Sequence, residues 1–582
     1  MKIGYIGLGA LGSEIARRFL DAHELWVWDL NVDAVARLGR AGARMAESAS
    51  EVGREADVIL TCLPRSADVR RLLFEEGLAS ALAPGKLVID QTSGDPKETR
   101  EIAQRLGRLG VVFLDAAVSG SPHVIPQGLA VILASGPNEA IERADPVLRA
   151  ISETVFRCGA RVGDGQAMKM INNAMNAGCR MGTLEVAALA RKSGLSLECI
   201  TEVLNRGGGA NLTTERMLPA IAQGKSATNF ALSLMLKDLN QAVALSMEVG
   251  VPAPVGSAVR SLLQIGANTL GPRAPLEGMI GVVESMAGTH LGRSETTALT
   301  ATVPFATAAF TDIVNVVGTG AVTGSLVKRF RQTGMLHSHK TTIEPNAAPR
   351  AADLIALCFP THLATREALM VGHLSGKGLP PGTIVMYMTR GDSEEVRRTA
   401  TELSRFGVIL VEAALIGTAA DIEAGTSLIL TGGPSEACQR VHSVLAQLAS
   451  RVIHCGDVGS AQTARVVDAA VAALCRQVTH EGVAAGLKFG LRLHDMAEIL
   501  TRCSGWSAAG RAMFPELTSR RAVRGETLRE VCTDLQRSAA LAIRQGVPTT
   551  LLNIVRSLVE AAVISLGDDA DASDMFKLAR DD

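Results

Sequence analysis

The feature that most constrains the fold is an internal repeat that covers nearly the whole chain of 582 residues. Residues 55–64, EADVILTCLP, resemble residues 351–360, AADLIALCFP. Shorter matches follow in the same order at an offset of 296–297 residues: Gly94-Asp95 with Gly391-Asp392, Val118–Gly120 with Leu415–Gly417, Cys158-Gly159 with Cys455-Gly456, and Gly250–Pro252 with Gly546–Pro548. Such a collinear series indicates a tandem duplication.

Two patterns of apolar residues follow each other within the first copy. From Gly163 to about Gly288 helical spacing prevails, which predicts an all-helical domain. Before it, strand-like runs alternate with helical stretches, which predicts a parallel sheet with helices on both faces. The runs are Lys2–Ile6, Leu25–Asp29, Asp57–Leu63, Lys86–Asp90, Val111–Leu114 and Leu129–Ala134.

Composition disfavours several kinds of partner. Lys and Arg number 58 against 59 Asp and Glu, and only 3% of residues are aromatic, so neither a basic surface nor base stacking for nucleic acid is expected. No uninterrupted apolar run reaches membrane-spanning length, and the first residues lack the pattern of a signal peptide. The ten cysteines include no CxxC pair and no His/Cys cluster. We expect a cytoplasmic protein with reduced thiols and without a metal site.

The segment Gly7–Gly12, GLGALG, lies between the first strand-like run and a helical stretch. This context suits a dinucleotide-binding turn, in which glycines allow close approach of a pyrophosphate to a helix N-terminus. Asp29 ends the next run, where an acid would bind both ribose hydroxyls and repel a 2′-phosphate. NAD is therefore favoured, while nearby Asn31 leaves NADP open. Contacts are expected from Gly7, Leu8, Gly9, Ala10, Leu11, Gly12 and Asp29.

The fold predicted for each copy is thus an α/β Rossmann domain followed by an all-α domain. We expect these domains at residues 1–162 and 163–292, a linker at 293–310, and degenerate counterparts at 311–458 and 459–582. Near the start, Arg17–Phe19 matches Lys328–Phe330 at a larger offset, 311 against the 296–297 that holds later. The second copy is therefore shorter than the first, by the difference between these offsets, around its second helix and third strand.

Two further segments carry groups suited to catalysis. Lys169 and Asn173 are four residues apart on a Gly-led apolar helix, so they share one face, and burial would lower the pKa of the amine toward that of a general acid or base. A solvated surface lysine is the alternative. Ser119, Gly120 and Ser121 follow a strand and are suited to binding a carboxylate, although a simple turn would look the same. Lys237-Asp238 reads as a solvated ion pair.

Together these segments resemble the β-hydroxyacid dehydrogenases, the group of 3-hydroxyisobutyrate dehydrogenase and tartronate semialdehyde reductase. The resemblance covers residues 1 to about 290. The family's motifs appear in order as Gly7–Gly12, Leu63-Pro64, Asp90–Ser93, Asp115–Ser121, Gly163–Asn173 and Lys237-Asp238.

The resemblance implies a role for each matching residue. Lys169 would be the catalytic acid/base, and Ser119, Gly120 and Asn173 would contact the substrate. Cofactor contacts would come from Gly7–Gly12, Asp29, Leu63, Pro64, Ser93 and Lys237. Ser121 stands where the family usually has Gly, and Leu129 where it usually has Thr. The substrate is thus expected to be a small hydroxy acid or semialdehyde whose identity stays open.

The second copy has lost most of these residues. Thr323 replaces the third loop glycine, Ile416 replaces Ser119, Arg465 replaces Lys169 and Ala469 replaces Asn173. Arginine stays protonated and cannot act as a general base near neutral pH. We expect every ionisable or polar group of this site to be gone and the copy to be catalytically dead. Because family members oligomerise through their helical domains, it would serve as an internal pseudo-subunit, with further homo-oligomers allowed; a ligand sensor is the alternative.

The leading hypothesis is an NAD(P)-dependent dehydrogenase or reductase that interconverts a β-hydroxy acid and its semialdehyde or keto form. An imine reductase-like enzyme is one alternative, but those relatives generally replace the lysine. A non-enzymatic dinucleotide-binding regulator or scaffold is the other. That protein would be expected to lose Lys169 and Asn173, and both are present.

Overall fold

A computed structural model describes residues 1–228, 230–271, 273–292, 313–341, 354–370, 379–519 and 525–579. The predicted linker at 293–310 lies outside the described residues. Two Rossmann-type α/β sheets, each followed by a helical domain, make up the chain. The predicted fold class is therefore confirmed.

The first sheet contains eight strands among the described residues, in the order β3-β2-β1-β4-β5-β6-β7-β8. The strands are β1 Lys2–Ile6, β2 Glu24–Trp28, β3 Arg44–Met45, β4 Val58–Thr61, β5 Leu87–Asp90, β6 Val112–Ser119, β7 Val131–Ser135 and β8 Thr154–Gly159. The helices are α1 Ala10–Arg17, α2 Val32–Arg40, α3 Ala49–Glu55, α4 Ser66–Phe74, α5 Pro96–Gly107 and α6 Asn138–Ile151. Separate apolar clusters cover the two faces of the sheet.

The strand predictions were incomplete at both edges of this sheet. β7 pairs with β6 in the antiparallel direction, so the predicted parallel sheet contains one antiparallel pair. The chain between Ser119 and Val131 forms turns and provides no crossover helix, which a parallel neighbour would need. The sequence patterns also missed β3, which has two residues, and the edge strand β8.

The helical domain that follows consists of α7 Asp164–Lys192, α8 Leu197–Arg206, α9 Leu218–Ala222, α10 Leu232–Glu248, α11 Pro254–Leu270 and α12 Gly278–Ala287. α7 is 29 residues long and almost wholly buried, because it passes between the first sheet and the other helices. The predicted change from mixed to helical structure near Gly163 agrees with the start of this helix.

The second copy repeats this architecture with seven strands in the described part of its sheet, in the order β10-β9-β11-β12-β13-β14-β15. The strands are β9 Val314–Gly318, β10 Leu336–Lys340, β11 Leu354–Cys358, β12 Ile384–Tyr387, β13 Ile409–Ile416, β14 Leu428–Gly432 and β15 Arg451–Gly456. The helices are α13 Ala321–Gln332, α14 His362–Met370, α15 Ser393–Ser404, α16 Ala419–Ala424, α17 Ser435–Leu445, α18 Ser460–Phe489, α19 Leu493–Leu500, α20 Ala508–Ser519, α21 Leu528–Gln545 and α22 Thr550–Leu566.

The predicted deletion falls between β10 and β11. In the first copy, the chain from Trp28 at the end of β2 to Val58 at the start of β4 contains α2, β3 and α3. In the second copy, the corresponding connection runs only from Lys340 to Leu354, less than half that length. The second sheet therefore lacks the chain length for that whole segment.

The two helical domains share one hydrophobic core, built mainly around the contact of α7 with α18. Glycines allow the two helices to approach closely. A Cβ atom built on Gly178 would lie 2.7 Å from the side chain of Val478, and one on Gly182 would lie 3.2 Å from Leu474. Side chains at these positions would force the two copies apart.

Two buried glutamates connect the copies reciprocally. The carboxylate of Glu185 accepts hydrogen bonds of 3.0 Å from the backbone N–H groups of Leu551 and Leu552, in the first turn of α22. Its counterpart in the second copy, Glu481, accepts from Val255 and Gly256 at the start of α11 at 3.0 and 2.9 Å. Burial raises the pKa of Glu185 to about 7. The interface therefore has approximate two-fold symmetry within one chain.

Replacing Gly178 with alanine should lower the thermal unfolding midpoint, because the added methyl group overpacks the contact with Val478. The expected loss is about 1–3 kcal/mol of stability, measured by circular dichroism. Gly281→Ala is the matched control: Gly281 is exposed on α12 and a Cβ there would meet no described atom within 4 Å. It should stabilise by about 0.5–1 kcal/mol. Equal effects of the two variants would contradict the close-packing account.

Candidate active site

The three loop glycines of the first copy have different structural roles. Gly7 has φ +100°, and a Cβ there would lie 2.3 Å from the carbonyl oxygen of Cys62. A Cβ on Gly12 would lie 2.0 Å from the carbonyl oxygen of Gly7, so α1 can pack on the turn only with glycine there. A Cβ on Gly9, by contrast, would meet no described atom within 4 Å. Gly9 therefore faces open space, where a ligand can approach the backbone.

The N-terminus of α1 beside this turn suits a pyrophosphate. Among the described side chains none caps the helix, and Gly9 and Ala10 are exposed, so their N–H groups are available to an anion. The carboxylate of Asp29 lies against the turn and accepts hydrogen bonds from the N–H groups of Leu8 at 2.5 Å and Asn31 at 2.6 Å. Asp29 thus stands where an adenosine ribose would follow the pyrophosphate. These residues fit a nicotinamide dinucleotide.

The loops after β4 and β5 lie next to this turn and are tied to the helical domain. A Cβ on Gly7 would lie 3.0 Å from the side chain of Leu63, so the loop that contains Leu63-Pro64 adjoins the turn. From α10, Nζ of Lys237 donates hydrogen bonds to the carbonyl oxygens of Ser93 at 3.0 Å and Pro64 at 3.4 Å. Lys237 therefore holds both of these loops against the helical domain.

A buried carboxylate sets the position of α7 relative to the sheet. Asp115 on β6 accepts hydrogen bonds from the N–H groups of Gly163 at 2.6 Å and Gln166 at 3.0 Å, and from the hydroxyl of Ser135 at 2.5 Å. Burial raises the pKa of Asp115 to about 7. This junction fixes the first turns of α7 over the carboxyl ends of the strands, and Lys169 follows directly.

Lys169 points from α7 toward the predicted substrate loop. Its Nζ donates a hydrogen bond to the carbonyl oxygen of Val118, the residue before Ser119. Burial lowers the pKa of Lys169 below its ordinary value, the charge of Asp238 opposes this shift, and the charge of Lys237 adds to it. A lysine with a lowered pKa beside the predicted substrate loop can exchange protons with a bound hydroxyl or carbonyl group.

Asn173 and the Lys237-Asp238 pair meet one turn further along α7. Nδ2 of Asn173 donates to Asp238 at 2.7 Å, and Nζ of Lys237 lies 3.3 Å from the same carboxylate. Asp238 is only 4% exposed. The expectation of a solvated surface pair was therefore wrong for Asp238, whose sequence neighbourhood carries no sign of this tertiary contact.

The predicted substrate loop is only partly connected to the other candidate site residues. Ser119 ends β6, and Gly120 has φ +156°. Ser121 lies in the turn that follows, where its carbonyl oxygen accepts a hydrogen bond from the N–H group of Val124 at 3.1 Å. Among the described contacts, none joins Ser121 directly to Lys169 or Asn173.

The second copy supplies a loop to this site, which the sequence patterns did not reveal. Asn172, next to Asn173, donates to Oγ of Ser504 at 2.9 Å and accepts from the N–H group of Gly505 at 2.8 Å. Asn172 also donates to Oδ1 of Asn173 at 3.3 Å. At the pseudo-symmetric position, Asp468 accepts from the N–H groups of the first copy's loop. Alignment of the copies offers one signal, because Ser504 falls where the first copy has Gly208.

The corresponding region of the second copy is filled by an ion pair. Arg465, at the Lys169 position, makes two hydrogen bonds to Asp534, at 2.7 and 2.9 Å, and both side chains are buried. Burial acts to raise the pKa of Asp534, but the charge and hydrogen bonds of Arg465 hold it at about 2. Asp534 is the counterpart of Asp238, so the expectation that every ionisable group had been lost was wrong.

The second nucleotide turn is remodelled. Gly318 has φ +156° and Gly320 has φ +107°, whereas Gly9 has φ −64°. Thr323, which replaces the third loop glycine, is accommodated, because its hydroxyl donates to the carbonyl oxygens of Cys358 at 2.6 Å and Thr319 at 2.9 Å. The ring of His339 lies 3.4 Å from the carbonyl oxygen of Gly318, near the place that Asp29 takes in the first copy.

Comparison with known families agrees with this architecture in both copies. A family model for the NAD binding domain of 6-phosphogluconate dehydrogenase matches residues 2–159 and 314–456. A family model for the NAD-binding domain of NADP-dependent 3-hydroxyisobutyrate dehydrogenase matches residues 163–283 and 459–579. The site and these matches define an NAD(P)-binding dehydrogenase that acts on hydroxyl groups.

Individual relatives match about half of the chain and nearly all of their own length. The NAD-dependent L-serine dehydrogenase of Pseudomonas aeruginosa is 33% identical over 45% of this chain and 91% of its own. The 3-hydroxyisobutyrate dehydrogenase of the same organism is 33% identical over 46% and 92%. The 2-(hydroxymethyl)glutarate dehydrogenase of Eubacterium barkeri is 31% identical over 50% and 96%. The crystallised Mycobacterium tuberculosis 3-hydroxyisobutyrate dehydrogenase is 27% identical, with a TM-score of 0.46, over 48% of this chain and 98% of that one.

The chain therefore belongs to the 3-hydroxyisobutyrate dehydrogenase-type β-hydroxyacid dehydrogenases, with the family's two-domain unit present twice. Within the described ranges, no group of three or more His, Cys, Asp or Glu side chains could hold a metal ion. None of the helices described is both long enough and apolar enough to cross a membrane.

Ser504→Ala should lower kcat of the dehydrogenase about 3- to 10-fold, because Asn172 loses a hydrogen bond that keeps it beside Asn173. The KM for the cofactor should stay the same, and Ser504→Thr should keep most of the activity. Asp468→Asn is the control, since it weakens the pseudo-symmetric contact beside the second copy's site. If Ser504→Ala left kcat unchanged, the second copy would not contribute to this site. The same conclusion would follow if Asp468→Asn reduced kcat as much as Ser504→Ala.

Proposed function

We propose that the chain is an NAD(P)-dependent dehydrogenase that interconverts a β-hydroxy acid and its semialdehyde or keto form, with Lys169 as the general acid/base. The supporting observation is the contact between Nζ of Lys169 and the carbonyl oxygen of Val118. This contact supports the proposal because the amine of Lys169 then lies beside Ser119 and Gly120, and Asn173 is one helical turn away. Lys237 joins the same region to the cofactor loops.

Each of these residues has a proposed role that follows from its chemistry. Ser119 and the N–H groups of Gly120 and Ser121 would hold the substrate's carboxylate. Asn173, fixed by Asp238, would orient the hydroxyl toward Lys169. In its neutral form Lys169 would take the hydroxyl proton, and the protonated form would return it in the reverse direction. When bound, the nicotinamide ring accepts or donates the hydride at the same carbon.

Support for NAD over NADP comes from Asp29. Its carboxylate stands beside the turn and is held by the N–H groups of Leu8 and Asn31. A 2′-phosphate would meet it as a like charge.

The second half is proposed to be non-catalytic. Arg465 stays protonated and is held by the buried carboxylate of Asp534, so it can neither accept a proton nor move toward a substrate. The proposed domain boundaries, at 162/163 and 458/459, are supported by the starts of α7 at Asp164 and α18 at Ser460. A cytoplasmic location is part of the proposal; all ten cysteines are free thiols and all except Cys62 are buried.

Lys169→Ala should reduce kcat about 10²- to 10⁴-fold while cofactor affinity stays nearly unchanged, because a general acid/base is lost without any change in the nucleotide turn. In the wild type, oxidation requires neutral Lys169 and should therefore rise with pH. Since burial lowers this pKa, the apparent midpoint should lie below 10.5. This rise of the oxidation rate with pH should be absent from Lys169→Arg, whose guanidinium stays protonated. The assignment would be refuted if Lys169→Ala kept most of its kcat on a β-hydroxy acid that the wild type oxidises.

Calorimetric titration should show one NADH bound per chain and weaker binding of NADPH. The first turn is open at Gly9, whereas the second is remodelled and lacks the acid. Gly9→Trp should abolish binding. Ala321→Trp is the control, because Ala321 is exposed at the first position of α13 and replacing Gly320, with φ +107°, would itself strain the turn. Two equivalent sites per chain would refute the dead-copy interpretation, and tighter binding of NADPH would refute the role of Asp29.

A further inference from the structure

Arg180 on α7 is a half-buried cation that neither the fold nor the proposed mechanism uses. Its Nε and Nη1 atoms are shielded from solvent and have no hydrogen-bond partner among the described residues. Burial lowers the pKa of Arg180 to about 10, and the charge of Glu277 opposes the shift. The carboxylate of Glu277 is itself engaged, because it accepts hydrogen bonds from Ser226, Ala227 and Thr228. An unpartnered guanidinium is costly to bury unless it binds something.

The position of Arg180 relates it to the catalytic lysine. It follows Lys169 by eleven residues on a continuous helix, which corresponds to about three turns and roughly 16 Å of rise on the same face. Between them on this face lies Asn176, whose Oδ1 is also buried without a described partner. Its Nδ2 donates to the carbonyl oxygen of Ser504 at 2.7 Å.

The second copy shows what satisfies an arginine at this position. Arg476, the counterpart of Arg180, lies 4.0 Å from the carboxylate of Glu526. Glu526 lies 3.6 Å from Arg390, which lies 3.8 Å from Asp534 beside Arg465. The second copy thus has a continuous line of alternating charges from the lysine position to Arg476.

The first copy has Lys169 and Arg180 at the two ends of this line, but it lacks the charges that Arg390 and Glu526 provide in the second copy. Ser93 stands at the position of Arg390, and Phe230 stands at the position of Glu526. Neither residue can provide a carboxylate to Arg180. The missing group is a carboxylate hydrogen-bonded to Arg180: Glu277 acts on the guanidinium through its charge alone, and no described residue forms that hydrogen bond. A ligand is therefore its natural source.

We propose that Arg180 binds a second carboxylate of the substrate, so that the substrate is a β-hydroxy dicarboxylic acid or the matching semialdehyde. The inference rests on the proposed function and names its substrate class. The first carboxylate lies at Ser119 and Gly120, the hydroxyl at Lys169, and the second carboxylate further along α7. There it takes the place that the carboxylate of Glu526 takes beside Arg476. A guanidinium is well matched to a carboxylate because it can donate two parallel hydrogen bonds.

Two probes that differ only in the distal group test this inference. 2-(Hydroxymethyl)glutarate ends in a carboxylate, and 2-(hydroxymethyl)pentanoate ends in a methyl group. The wild type should oxidise the first with a kcat/KM about 10- to 100-fold higher, the range for a charge-assisted hydrogen bond. Arg180→Met should lose that preference and leave the rate on the pentanoate unchanged. Arg476→Met, the matched control in the second copy, should leave both rates unchanged.

Thermal unfolding distinguishes binding from a structural role. Arg180→Met removes an unpartnered charge, so its unfolding midpoint should stay the same or rise. Arg476→Met removes one of the two arginines beside Glu526, so its midpoint should fall or stay the same. A lower midpoint for Arg180→Met, equal loss of both probes in that variant, or no preference in the wild type would overturn the inference. If neither probe is oxidised the inference also falls, whereas the proposed function falls only if no β-hydroxy acid of a wider panel is oxidised.

Discussion

The close contact of α7 with α18 is the constraint on which the rest of the structure depends. Gly178 and Gly182 let the two long helices approach, and this joins the helical domains into one apolar core. At that distance, Glu185 and Glu481 reach the helix N-termini of the opposite copy. The same approach carries the loop at Ser504 to Asn172. Stability of the pair and the shape of the candidate site therefore have a common origin.

The two copies are related by approximate two-fold symmetry, but their sites differ in how the buried charges are neutralised. The second copy neutralises its buried charges internally, through Arg465, Asp534, Arg390 and Glu526. The first copy leaves Lys169 beside a loop and Arg180 without a described partner. A site that satisfies its own charges gains stability and has no electrostatic reason to bind a ligand, while a site with unsatisfied groups does. The packing surface could stay the same during this change because it lies on other faces of the same helices.

Local signals predicted much of the fold and part of the site. Apolar periodicity was sufficient for most strands, and the spacing Gly7–Gly12 was sufficient for the nucleotide turn, because both depend on neighbours in sequence. The antiparallel direction of β7 was missed, since the strand pattern is the same in either direction and only the length of the connection decides. Burial of Asp238 was missed as well, because its partner Asn173 is 65 residues away. Accommodation of Thr323 at the third glycine position could not be foreseen either, because it depends on the changed shape of the second turn.

By itself the sequence determined the duplication, the two-domain unit, the family and the set of chemically suited residues. These follow from composition, periodicity and motifs, which the chain carries in linear form. Only the tertiary structure decided which groups meet: Lys169 with Val118, Ser504 with Asn172, and Arg465 with Asp534. It alone also left Arg180 without a partner among the described residues. The reason is physical, because burial and hydrogen bonding are set by contacts between segments that lie far apart along the chain, and no local pattern records them.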